Sequence, residues 1–270
     1  MALTELQRRV CRVLAASRIE AGESYVAGGA ALNELLRAPR ISRDIDLFHD
    51  TEEALARTWA ADRATLEREG LSVQPLRELR SYVEAQVGTP GDVVLVQWTR
   101  DSAYRFFPLV EQEELGLTLH PLDLATNKTL ALVGRLEVRD WVDLIASAER
   151  IQPLGYLSWA ACGKDPGFSP ASLLEHAARS ARYSTEEVAA LAFEGASPDA
   201  GELSRRWRAA LDEAREVVHA LPAAEVGKCV LGADGELFSG DLAALAAALG
   251  ADRVRFHPGC IRGAWPDVRT

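Results

Sequence analysis

The stretch that decides the reading is Tyr25-Val-Ala-Gly28-Gly29-Ala30-Ala-Leu-Asn-Glu-Leu-Leu-Arg37-Ala-Pro-Arg40-Ile-Ser42-Arg43-Asp44-Ile-Asp46-Leu-Phe48. Ser24 to Ala27 reads as a short strand that stops at Gly28-Gly29, and Ala30 to Leu36 as the helix that follows. Asp44 to Phe48 alternates polar and apolar residues with period two, the pattern of a half-buried strand. Carboxylates at i and i+2 on a strand project from one face, so Asp44 and Asp46 can bind a hard cation together. Magnesium suits such a pair, because it prefers oxygen ligands and commonly shares them with a substrate phosphate. The Gly-Gly turn offers backbone N–H groups and the positive end of a helix dipole, with no side chain to keep a phosphate away.

Outward from this stretch, the first half of the chain reads as small sheet plus helices. Residues 4–20 carry Leu6, Val10, Val13 and Leu14 at helical spacing, and residues 51–69 form a second helix with Thr51 as N-cap and Glu52 and Glu53 in its first turn. Strands are expected at Leu71 to Pro75, Ser81 to Val87 and Asp92 to Trp98. After about residue 120 the pattern turns helical: Leu122 to Val133, Leu136 to Arg150, Pro170 to Ser180, Thr185 to Phe193 and Gly201 to Leu221. A small α/β appendage is expected near 228–258, with Lys228 to Leu231 and Glu236 to Ser239 as a hairpin and an alanine-rich helix after it. The domain expectation is therefore 1–118 and 119–270.

Composition bounds the function classes. The 270 residues carry a formal charge of −10, which argues against nonspecific coating of nucleic acid or membrane. The charge is uneven: −2 over residues 1–110 and −8 over residues 111–270. Polyanion binding thus belongs in the first half, where Arg37, Arg40 and Arg43 could form a local basic lip. Lys128, Lys164 and Lys228 are the only lysines among 30 basic residues, so a lysine inside a motif carries more information than an arginine. Cys11, Cys162, Cys229 and Cys260 are scattered without metal-ligand spacing and read as reduced thiols. Neither a signal peptide nor a membrane-spanning run is visible, and the expected location is the cytoplasm.

Strand, Gly-Gly, helix, then Asp-x-Asp on the next strand resembles the nucleotidyltransferase superfamily. Arg40-Ile-Ser-Arg43-Asp44-Ile-Asp46-Leu-Phe48 resembles its AbiEii/AbiGii-type branch, which includes the MenT-like toxins. A second match is His120-Pro-Leu-Asp-Leu-Ala-Thr-Asn-Lys128-Thr-Leu-Ala-Leu-Val-Gly-Arg135-Leu-Glu-Val-Arg139-Asp140-Trp-Val-Asp143-Leu, similar to that family's helix with a Lys, a following Arg and an Arg/Lys-Asp-x-x-Asp-Leu. The resemblance covers roughly residues 24–145. It implies an α/β (α+β) fold, a small mixed sheet with flanking helices followed by a mainly helical C-terminal domain.

The activity it implies is nucleotidyl transfer from an NTP to an acceptor hydroxyl, dependent on Mg2+ or Mn2+. Asp44 and Asp46 would hold metal, and Gly28, Gly29 and Ala30 would receive phosphate. Arg43, Lys128 and Arg135 would bind the triphosphate, and Asp140 would orient or deprotonate. By the same analogy the acceptor is RNA such as tRNA, the chain a toxin, and its partner an antitoxin; the overall charge instead favours a small-molecule or protein acceptor unless Arg37, Arg40 and Arg43 make a local basic lip. Family members usually carry a third carboxylate on a later strand, where this chain has Gln97; Asp92 and Asp101 flank that strand. The alternatives are a nucleotide-binding module without turnover and an antibiotic-type nucleotidyltransferase.

Overall fold

The computed structural model describes residues 3–179 and 183–267. In chain order the elements are α1 (Glu5–Ala21), β1 (Ser24–Ala27), α2 (Gly28–Leu36), β2 (Asp44–His49), α3 (Glu52–Arg68), β3 (Ser72–Leu79), β4 (Tyr82–Thr89), β5 (Asp92–Arg100), β6 (Tyr104–Arg105), β7 (Val110–Gln112), β8 (Gly116–Thr118), α4 (Pro121–Arg135), α5 (Val138–Arg150), α6 (Leu154–Ala161), α7 (Pro170–Arg179), α8 (Thr185–Ala189), α9 (Ala200–Ala220), β9 (Cys229–Gly232), α10 (Leu242–Gly250), β10 (Val254–His257) and β11 (Cys260–Ile261). They fall into two compact units. The first runs to Ala103 and takes in Leu109–His120 and Ala192–Gly195; the second comprises Tyr104–Pro108, Pro121–Leu191 and the chain from Ala196.

The first unit is built on a seven-stranded sheet in the order β3-β4-β5-β2-β1-β8-β7. The β2–β5 and β1–β8 pairs are parallel and the others antiparallel, which makes it the small mixed sheet expected. Strand alternation assigns the faces. Ile45, Leu47 and His49 of β2, Val83, Ala85 and Val87 of β4, and Val94, Val96 and Trp98 of β5 are buried on one side. Helices α1 and α3 cover that side: Trp59 meets Trp98 edge-on with ring centroids 4.7 Å apart, and the Trp98 indole N–H donates to Asp62 at 2.9 Å. Thr51 caps α3 by accepting from the Ala54 amide. The other face carries Asp44, Asp46, Leu95, Gln97, Tyr82 and Glu84, all half-buried. Residues 192–194 return to this unit, where the Ala192 carbonyl accepts from Ile41 and Phe193 bridges Arg40.

His49 lies wholly inside the covered face. Its Nε2 sits 2.6 Å from the Thr58 hydroxyl and its Nδ1 3.4 Å from the Thr99 carbonyl. Burial pushes its pKa down to about 4 despite the opposing Thr99 carbonyl, with the Arg18 charge adding to the depression. The unfolded chain binds a proton near pH 6.5 while the fold refuses it, so stability is full above that pH and drains as pH falls toward 4. A shift of that size is worth about 3 kcal/mol. Urea unfolding of wild type and His49→Asn at pH 7.5 and 4.5 is expected to show a drop smaller by about that amount in the variant. Equal drops would mean His49 is not the buried neutral base.

The second unit is mainly helical. Its core joins Tyr156 and Trp159 of α6, Val217 of α9 and Leu221 just beyond it to Val230, Leu245, Ala248 and Val254 of the appendage. Helix α6 was absent from the sequence reading. The hairpin expected across Ala233-Asp234-Gly235 forms as a short one: Leu237 bridges Leu231 antiparallel, the Gly232 amide donates to the Glu236 carbonyl at 2.8 Å and the Phe238 amide to the Val230 carbonyl at 3.1 Å, while the longer partner of β9 is β10. Helix α8 ends at Ala189 rather than Phe193, and α7 runs to Arg179, leaving Ser180 outside the described residues. Asp123, fully buried, accepts from the Phe106 and Phe107 amides at 2.9 and 3.1 Å and pairs with Lys164 at 2.8 Å, fastening the Tyr104–Pro108 strap to α4. Among the described residues no helix is long and apolar enough to cross a membrane. The four cysteines are unpaired, Cys260 exposed and the others buried.

Candidate active site

Gly28 opens α2 two residues before the expected start at Ala30, at φ +63°. Ala27 before it makes no side-chain cap hydrogen bond, and the first turn of any helix presents N–H groups with no intrahelical acceptor. Antiparallel pairing sets Ala27 opposite Asp46, and this brings the Asp46 carboxylate onto the glycine. A Cβ at Gly28 would stand 1.7 Å from Asp46 Oδ2. Both the left-handed backbone and the carboxylate therefore require glycine here. Gly28→Ala is expected to displace the Asp46 side chain and to destabilise the fold by about 1–3 kcal/mol, the cost of holding an L side chain in a strained backbone region. Urea unfolding measures it, and a wild-type midpoint would show that Asp46 need not sit against Gly28.

Asp44 projects from the same face and its Oδ1 accepts from the Ser42 hydroxyl at 3.1 Å. Ser42 is buried, and its carbonyl accepts from Gln7 of α1 at 2.8 Å. Ser42 thus ties the Asp44 carboxylate to α1, a link between segments 35 residues apart that no local sequence pattern announces. Arg43 is exposed beside it, as is Arg37, but Arg40 is buried and lies against the strand-like segment at Phe193. The three-arginine lip is thereby reduced to Arg37 and Arg43.

The register places Gln97 of β5 opposite Asp46 and Glu84 of β4 opposite Gln97. Gln97 thus stands beside Asp46 on its rung, and a carboxylate, Glu84, stands one strand further along the same rung. Glu84 Oε1 accepts from Gln97 Nε2 at 3.3 Å and from the Tyr82 hydroxyl at 3.0 Å. Burial, the Glu84 hydrogen bond and charge, and the Asp46 charge push the Tyr82 hydroxyl up to about 12, so it stays protonated and donates. Asp92 pairs with Thr89 at the far end of β5, beyond the rung of Asp44 with Leu95, and Asp101 lies past the strand's other end. Neither joins the Asp46 rung.

Among the described residues no three His, Cys, Asp or Glu side chains group as an all-protein metal cage. Two carboxylates on one face are nonetheless the donor set that Mg2+ or Mn2+ takes when waters and substrate phosphates complete the shell. The chemistry of the donors fits such an ion.

The second unit carries the other sequence-assigned residues. One helix, α4, runs through both Lys128 and Arg135, so the seven-residue spacing puts them on one face. Both meet Asp140 of α5: Lys128 Nζ lies 2.8 Å from Oδ1, Arg135 Nε 2.6 Å from Oδ2 and Arg135 Nη2 3.0 Å from Oδ1. Lys128 also pairs with Asp143 at 3.2 Å. Leu136 at φ +54° turns the chain so that α5 folds back along α4. Asp140 and Asp143 are fully buried, Lys128 nearly so, and Arg135 is half-exposed. Burial alone would raise the Asp140 carboxyl, but the Arg135 hydrogen bonds and the Lys128 charge outweigh it and hold the group below its ordinary value. Sequence periodicity anticipated this face; the double pairing of Asp140 follows from the turn at Leu136.

In solved structures the fold is found in MenT4, a nucleotidyltransferase toxin from Mycobacterium tuberculosis H37Rv, with TM-score 0.51 and 15% identity over 81% of this chain and 83% of that one. It is found also in JHP933 from Helicobacter pylori, with TM-score 0.52 and 14% identity over 92% of this chain and 98% of that one. At such identities the likeness is one of fold. No protein-family model matches the sequence, and no curated protein does.

Proposed function

We propose that this chain, built on a nucleotidyltransferase fold, moves a nucleoside monophosphate from an NTP to an acceptor hydroxyl and releases pyrophosphate. The observation that carries the reading is the Asp46 carboxylate packed against bare Gly28 at the opening of α2, with Asp44 on the same face. Asp44 and Asp46 are the residues to hold Mg2+ or Mn2+, which supplies Lewis-acid polarisation of phosphate oxygens. The amides of Gly28, Gly29 and Ala30 receive phosphate at the positive end of the helix. Arg43 contributes an exposed guanidinium. Within the second unit Asp140 orients Lys128 and Arg135 rather than serving as a base, since its oxygens are already taken by these two partners.

The motif resemblance of residues 24–145 is what suggests an RNA acceptor, a tRNA end in particular, with an antitoxin as protein partner; the MenT4 structure adds only that the fold occurs in a nucleotidyltransferase toxin. Arg37 and Arg43 give the first unit a local positive edge for such an acceptor. A nucleotide-binding module without turnover is the second reading, and Gln97 in place of the third acid favours it. Incubating the purified chain with Mg2+, each labelled NTP and total RNA separates the two. Pyrophosphate release together with label on the RNA supports transfer; nucleotide binding with no product across the four NTPs supports the module.

A further inference from the structure

The Asp46–Gln97–Glu84 rung carries a carboxylate where the strand order does not call for one. Glutamine at 97 cannot take a proton, but its carboxamide points along the rung and donates to Glu84 Oε1 at 3.3 Å. The Tyr82 hydroxyl, two residues away on the same strand face, donates to that same oxygen at 3.0 Å. Oε1 is thus anchored twice, while Oε2 accepts no hydrogen bond from the described residues. Such an arrangement fixes the carboxylate's orientation and leaves one lone-pair face for another group. Glu84 stands two strand spacings from Asp46, about 10 Å between backbones. Gln97 stands between the two on the rung, so Glu84 and Asp46 are separate carboxylates rather than a pair. Arg77, opposite Glu84 on β3, lies over the Tyr82 ring at 5.9 Å and keeps the donor in place from the edge of the sheet.

We propose that Glu84 is the general base of this site, with Gln97 and Tyr82 as its positioning residues. The inference rests on the transfer reading above. In the step, the acceptor O–H bond breaks and its proton passes to Glu84 Oε2. The oxygen's electron pair forms the bond to the α-phosphorus, and the bond from that phosphorus to the bridging oxygen breaks, its electron pair leaving with pyrophosphate. The proton on Glu84 then returns to water. Gln97 has a reason to be an amide in this scheme: a carboxylate there would repel Glu84 across one strand spacing, whereas the amide N–H holds it.

The test uses the full chain with Mg2+, the preferred NTP and RNA, following pyrophosphate release and, separately, binding of the NTP. Glu84→Gln keeps the size and the hydrogen-bonding shape, and is expected to lower kcat about 100-fold while NTP binding and the unfolding midpoint stay as in wild type. Tyr82→Phe and Gln97→Leu are expected to lower kcat about 10-fold with KM for the NTP unchanged, the signature of a base left loosely held. Wild-type kcat in Glu84→Gln, in a preparation where Asp46→Asn is inactive, overturns the assignment and leaves the transfer reading standing. Loss of NTP binding in Glu84→Gln also overturns it, because a base does not carry ground-state affinity. Failure of the wild-type chain to release pyrophosphate sinks the transfer reading itself, and this inference with it.

Discussion

Asp46→Asn is expected to abolish pyrophosphate release, by about 1000-fold or more, while the protein unfolds at the wild-type midpoint. The substitution keeps the side chain's size, so its seat against Gly28 survives; what it removes is the charge. A loss of that size is about 4 kcal/mol of barrier, within what one metal-binding carboxylate supplies to phosphoryl transfer. Asp46 differs from Asp44 in how it is held. Asp44 takes a hydrogen bond from Ser42, whereas Asp46 is confined by the glycine whose helix end is assigned to the phosphate. Charge at 46 and phosphate at 28–30 are therefore neighbours by construction of the β1–β2 pair. Titrating NTP at several Mg2+ concentrations checks the origin of the effect: the variant should lose the metal dependence of binding along with turnover. An Asp46→Asn protein that turns over at half the wild-type rate would remove the basis for placing chemistry on this face.

The region that specifies this site was readable because its determinants are local. The strand at Ser24 to Ala27, the glycine turn and the alternation at Asp44 to Phe48 each depend on a few adjacent residues, and the β1–β2 pairing joins segments close in sequence. The same holds for the Lys128–Arg135 face of α4. What was not readable depended on distant pairing or on uniform composition. Leu154–Ala161 is buried on every side, so its sequence lacks the 3.6-residue rhythm of a surface helix. Strand β8 is three residues long and finds β1 across ninety intervening positions, a contact no window of sequence contains. Glu84 was missed for a related reason. Alternation says that it faces the same way as Tyr82, but only the register of β4 on β5 says that it stands on the Asp46 rung.

Asp140→Ala is expected to destabilise the protein by about 3–5 kcal/mol, the cost of removing one partner from a buried charge pair. The reason lies in what remains. Lys128 stays almost fully buried with Asp143 at 3.2 Å as its one remaining carboxylate, and Arg135 loses both of its hydrogen bonds to Asp140. Arg135→Ala removes a half-exposed partner instead and is expected to cost about 1 kcal/mol or less, as exposed ion pairs do. The order of the two variants in urea unfolding is the informative quantity, because it separates the buried organising carboxylate from its half-exposed guanidinium partner. Asp140 is held below its ordinary pKa, so its contribution is present above the unfolded carboxyl value near 3.9 and is lost as pH falls through the folded one. The gap between wild type and Asp140→Ala should accordingly be full at pH 7 and shrink below pH 4. If the variant is as stable as wild type at pH 7, the Lys128–Asp140–Arg135 array does not organise the α4–α5 turn, and the cations assigned to the triphosphate have lost the group that aims them.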